Sequence, residues 1–91
     1  MEKFRFKNIV AFLNEGREIE FIYQEKEYSI TNSDGYWYLC CDTDKKIVER
    51  ICSFKEKDVL ASKISNLCIG NILIADIFDK KLYKNSSLYV L

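Results

Sequence analysis

A chain of 91 residues is long enough for one domain with a small core of its own. Its 14 basic and 14 acidic side chains cancel, which counts against nucleic acid as a partner, because neutralisation of phosphates by Lys and Arg supplies most of that affinity. It has no histidine and no proline, so the commonest general base and metal ligand are missing, as is any proline-rich docking segment.

The first seven residues, Met1 to Lys7, lack the apolar stretch of a signal peptide. No later apolar run approaches the 18 or so residues that cross a bilayer. A cytoplasmic protein without membrane contact is expected. Its cysteines, Cys40, Cys41, Cys52 and Cys68, are then reduced. They form no C-x-x-C pair, and they read as small buried hydrophobes with neither a bridge nor a metal.

Phe6, Ile9, Val10 and Leu13 recur at helical spacing and predict a helix from about Lys3 to Asn14, stopped by Gly16. Phe12 lies at the margin of that stripe and Phe4 off it. From Arg17 to Ser53 the pattern changes to alternation. Ile19, Phe21 and Tyr23 share one strand face, opposite Glu18 and Glu20. A tight turn at Glu25-Lys26 sets Tyr23 opposite Tyr28 and Phe21 opposite Ile30. Asn32-Ser33-Asp34-Gly35 is the clearest turn of the chain. A two- or four-residue loop there places Trp37, Leu39 and Cys41 with Phe21, and Tyr36, Tyr38 and Cys40 on the other face. A three-residue loop reverses this, and even parity is preferred because it buries the tryptophan.

Asp42 to Lys46 is a polar turn, and Ile47 to Cys52 a fourth strand. Its register is open: either Ile47 and Ile51 are buried with Glu49, or Val48 and Cys52 with Arg50. The isoleucines are favoured. Ser53-Phe54-Lys55-Glu56 fits a capping box and opens a helix with Leu60, Ala61, Ile64 and Leu67 inward. Gly70 ends that region. Asn71 caps a short helix carrying Leu73, Ile74, Ile77 and Phe78. The tail from Ser87 to Leu91 is strand-like and too apolar for a loose end. The order is helix, about four strands in an antiparallel meander, two helices and a short terminal strand, an α+β domain with its helices on one sheet face.

Catalytic patterns are scarce. No G-x-S-x-G and no glycine-rich phosphate loop occurs, and Gly16, Gly35 and Gly70 all sit at element boundaries. The pairs Glu18/Glu20 and Asp42/Asp44 are read as a solvated strand face and a turn rather than as acid–base groups. Cys40 and Cys41 lie mid-strand, where neither a helix N-terminus nor a cation lowers a thiol pKa. What remains is a contact surface: Tyr36 and Tyr38 beside Lys45 and Lys46, and the apolar tail Leu88, Tyr89, Val90 and Leu91. Aromatics beside bases also suit stacking on single-stranded bases, but tyrosine in a neutral chain fits protein contact better. A homodimer through the tail is among the expected partners, since a short sheet has edges that accept a strand.

The run from Gly16 to Thr31, Gly-Arg-Glu-Ile-Glu-Phe-Ile-Tyr-Gln-Glu-Lys-Glu-Tyr-Ser-Ile-Thr, resembles the start of small uncharacterised proteins of low-GC Gram-positive bacteria and their phages. The resemblance implies no active site, and no cofactor is expected. It implies a mobile-element protein that binds a host protein, such as an inhibitor of host defence of the anti-CRISPR kind. The expectation is therefore a non-enzymatic protein-binding module. The alternatives are a nucleic-acid accessory protein using Tyr36, Tyr38, Lys45 and Lys46, and a small carboxylate- or cysteine-dependent enzyme.

Overall fold

A computed structural model describes residues 5–91. The chain runs α1 (Phe6–Asn14), β1 (Ile19–Tyr23), β2 (Lys26–Ser33), β3 (Tyr36–Cys41), β4 (Lys46–Ser53), α2 (Lys57–Ser65), β5 (Cys68–Ile69), β6 (Ile72–Leu73), α3 (Ile74–Asp79) and β7 (Tyr89–Val90). This is the expected α+β order. Lys3 and Phe4 of the expected first helix lie outside the described residues. The main sheet is antiparallel with strand order β4-β3-β2-β1-β7, so the four-strand meander gains the terminal strand beside β1.

Period-two alternation builds the core side of that sheet. Ile19, Phe21, Ile30, Trp37, Leu39 and Cys41 all point one way and are buried. Against them pack Ile9 and Leu13 of α1, Leu60 and Ile64 of α2, and Ile74, Ile77 and Phe78 of α3. The three helices touch one another and share this single core, so all three lie on one sheet face. Phe78 meets Phe21 edge-on, with ring centroids 5.0 Å apart. Phe12 is half-buried and also packs on the core.

The turns after β1 and β2 set which residues face inward. Gln24 and Glu25 both have positive φ, and so do Asp34 and Gly35, the pattern of two-residue type I′ turns whose twist suits the strands. Phe21 therefore pairs with Tyr28 and Ile19 with Ile30. The expected turn at Glu25-Lys26 is corrected by one residue and the register by two. Parity survives, because a shift of two leaves every side chain on its face. At Asp34-Gly35 the even loop holds, and Trp37 is buried against Phe54 with ring centroids 5.5 Å apart.

Strand β4 departs from either expected register. Its pairing with β3 jumps from Trp37↔Cys52 to Tyr38↔Arg50, and from Leu39↔Glu49 to Cys40↔Ile47. Ile51 and Val48 are thus bulged out of the ladder, and each bulge reverses the parity of what precedes it. Ile51 and Cys52 are buried together, Glu49 is exposed, and Ile47, favoured for burial, is 60% exposed.

Two further corrections concern caps. The Glu56 carboxylate does accept from the Ser53 amide at 3.1 Å, but the Ser53 hydroxyl accepts from Lys55. Those bonds close the turn that ends β4, and α2 starts only at Lys57. Its inward residues are nonetheless Leu60 and Ile64, followed by buried Leu67. Asn71 caps nothing: with Gly70 at φ 62 it forms the two-residue turn of the β5–β6 hairpin, and α3 begins after Leu73, which is exposed. Glycine takes the left-handed position there without steric cost.

The tail closes the sheet's β1 edge. Ile19 pairs with Val90 and Glu20 with Tyr89, and the Leu91 amide donates to the Glu18 carbonyl at 2.7 Å. Beyond β7, the Ser87 hydroxyl accepts from the Ile22 amide, and the Lys84 amide donates to the Ile22 carbonyl. The β1 backbone is therefore satisfied along its outer side, as a protected edge requires.

Candidate contact surface on the open sheet face

Among the described residues no helix covers the sheet face opposite the core. By strand alternation it carries Glu20 and Ile22 of β1, Glu27, Ser29 and Thr31 of β2, and Tyr36, Tyr38 and Cys40 of β3. The bulge at Ile51 adds Arg50 of β4, and the bulge at Val48 adds Ile47. Tyr89 of β7, paired with Glu20, joins from the far edge. Neither the tail nor a helix lies over Tyr36 and Tyr38.

One end of this face is aromatic and basic. The Arg50 guanidinium stacks over the Tyr36 ring, 4.8 Å from its centroid, and Tyr38 pairs directly with Arg50 across the strands. Stacking of this kind holds Arg50 flat while its N–H edge stays in water. Arg50 forms no ion pair among the described residues. The other end is acidic. Glu20, Ile22, Glu27, Asp42, Ser87 and Tyr89 line a groove of about 150 Å³. The Asp42 carboxylate accepts from the Ser29 hydroxyl at 3.2 Å, while Glu20 and Glu27 have no cationic partner among the described residues. Between the ends lie Ser29, Thr31 and Cys40, all small, with Ser29 only 3% exposed. Burial raises the Cys40 thiol pKa, against a smaller opposing effect of the Thr31 hydroxyl, so this thiol is held away from its reactive form. Cys41 and Cys52 are core residues, and burial pushes Cys52 the same way.

The residues singled out from the sequence divide over this framework. Tyr36 and Tyr38 lie together on the open face. Lys45 and Lys46 do not join them: Lys45 sits in the β3–β4 turn at φ 54, and Lys46 pairs with Cys41. Five residues of β3 separate that end from Tyr36, about 17 Å of strand. Of the tail, Leu88 and Val90 pack on the core, Tyr89 stands 60% exposed on the open face, and Leu91 is exposed. Arg50 takes the place expected of the lysines, and the acidic groove was not anticipated. The signal for Arg50 was available in Ile47-Val48 and Ile51-Cys52: two doubled apolar pairs in one edge strand break strict alternation twice, as two bulges do.

Among the described residues no group of three His, Cys, Asp or Glu side chains is placed to hold a metal ion. None of their helices is long and apolar enough to cross a membrane. No protein-family model matches the chain, and no curated protein or solved structure matches it either.

Proposed function

We propose that this protein is a small non-enzymatic module that binds another protein through the open face of its sheet. The observation that carries this reading is the one-sided architecture. All three helices occupy one face, and the other presents Tyr36, Tyr38, Arg50 and Tyr89, the residue types that anchor protein interfaces. The three carboxylates on the same face repel phosphate, which favours protein over nucleic acid as the partner. The resemblance to phage-borne proteins makes a host protein, a defence component among them, the first partner class to test.

A photo-cross-linking residue in place of Tyr38, compared with one in place of the exposed Lys63 on α2, tests the reading in a lysate of the source cell. The expected result is a discrete protein adduct from position 38 that excess wild-type protein competes away, with none from position 63. Equal adducts from both positions would sink it. So would the absence of an adduct combined with salt-dependent oligonucleotide binding.

A further inference from the structure

The open face carries its own complement. Arg50 on β4 and Glu20 on β1 lie on the same face, three strand spacings across and two residues along the strands from each other, about 16 Å. Arg50 has no carboxylate partner among the described residues, and Glu20 and Glu27 have no cationic one. Ser29, Thr31, Tyr38 and Cys40 surround the midpoint between them. A two-fold axis lying in this face and passing through that midpoint exchanges the two ends. It sets the Tyr36–Arg50 stack of one copy against the Glu20/Glu27/Asp42 groove of the other, twice over. A two-fold interface needs a patch complementary to itself, and this distribution of charge meets that need.

We infer that the occupant of the open face is a second copy of this chain, packed sheet to sheet about that axis. This rests on the reading of the face as a contact surface and names its partner. Zero net charge means that no long-range repulsion opposes the approach of two copies. The size of the face is that of a weak interface. Five strands about 4.8 Å apart and about six residues long present roughly 500 Å² per copy. The roughly 1,000 Å² buried in total is at the small end for specific interfaces, where transient, exchanging complexes fall.

Sedimentation equilibrium on three proteins tests this. Wild type is expected to rise from 10.8 kDa towards twice that mass as concentration climbs from about 1 µM to about 500 µM. Arg50→Glu alone sets acid against acid, and the double variant Glu20→Lys, Glu27→Lys sets base against base. Each is expected to dimerise at least tenfold more weakly than wild type, with an unchanged thermal melt because all three positions are exposed. Mixed one to one, the two variants restore both contacts and are expected to form a heterodimer. A wild type that stays monomeric to about 500 µM, or a mixture no more associated than its components, overturns the dimer. If wild type stays monomeric while position 38 still cross-links to a different protein, the two-fold dimer is overturned and the contact-surface reading stands.

Discussion

The two faces of one sheet differ more than any two elements of the molecule. On the helix side Ile19, Phe21, Ile30, Trp37 and Leu39 are almost wholly removed from water. On the other side their chain neighbours Glu20, Ser29, Thr31, Tyr38 and Cys40 form a polar, tyrosine-bearing surface. The same backbone hydrogen bonds serve both. Burial of apolar area, at about 25 cal/mol per Å², is therefore concentrated on one face. The other face is nearly free of folding constraint and can be composed for recognition. Substitutions on the inner face should register in melts and those on the outer face in association.

The largest test of that division is Trp37→Ala. It removes the biggest fully buried side chain, together with its contact to Phe54. The expected loss is about 3–5 kcal/mol, a large share of the roughly 5–10 kcal/mol typical of so small a domain. Chemical denaturation measures it, with near-ultraviolet circular dichroism as readout. A variant as stable as wild type would mean that the faces are wrongly assigned. Deletion of residues 87–91 is next. It removes Leu88 and Val90 from the core and strips the β1 edge of its partner. We expect a loss of about 2–4 kcal/mol, whereas neutralising the exposed Lys80 and Lys84 side chains leaves the melt unchanged.

How much of this was legible depended on how local the cause was. The inner set from Ile19 to Cys41 follows from alternation and one Asp-Gly turn, both written in short stretches. It even tolerates a two-residue error at Gln24-Glu25, because parity is all that matters. Strand β4 defeats a strict period-two reading because its two bulges, at the doubled apolar pairs Ile47-Val48 and Ile51-Cys52, break the alternation twice. Gly70-Asn71 reads as a stop and a cap because a two-residue strand is too short to show alternation. The aromatic half of the surface was visible as Tyr36 and Tyr38. Its basic partner was not, since Arg50 reaches that face only through the bulge at Ile51. The acidic groove assembles from β1, β2, the β3–β4 turn and the tail, and no local pattern announces such a site.

Smaller effects sharpen the comparison. Ser87 is buried, its hydroxyl accepting from the Ile22 amide at 3.1 Å and donating to the Lys84 carbonyl at 2.6 Å. Ser87→Ala leaves the amide without its partner and should cost about 1–2 kcal/mol, read by urea denaturation. Cysteine at the same position, a weaker hydrogen-bonding group, should fall between the two. Tyr38→Ala, by contrast, should change stability by no more than about 0.5–1 kcal/mol. It should still weaken association several-fold in the sedimentation experiment. A Tyr38 variant that unfolds as readily as the Trp37 variant would erase the distinction between the faces.

The smallest expected effect lies at the rim where the faces meet. Lys26 and Asp44 form an exposed ion pair at 2.8 Å that ties the β3–β4 turn to β2, helped by the Thr43 hydroxyl, which accepts from the Glu27 amide. The hydrogen bond to Lys26 holds the Asp44 carboxyl below its ordinary value of 3.8, and Asp44 raises the Lys26 ammonium above 10.5. The folded carboxylate thus stays ionised at pH values where the unfolded chain already takes up a proton. Its contribution is present above the unfolded carboxyl value and is lost as pH falls through the folded one. That of Lys26 is present below the unfolded ammonium value and is lost as pH rises through the folded one. Both groups are exposed, so salt should screen the pair. Melts of wild type and Lys26→Met should differ slightly at pH 7 in low salt, and should converge in about 1 M salt and as pH falls well below the ordinary carboxyl value of 3.8. If the small gap persists at low pH, the Lys26 stem acts by packing, and the bonds of Asp42 and Thr43 to Glu27 and Ser29 hold the turn against the sheet without the ion pair.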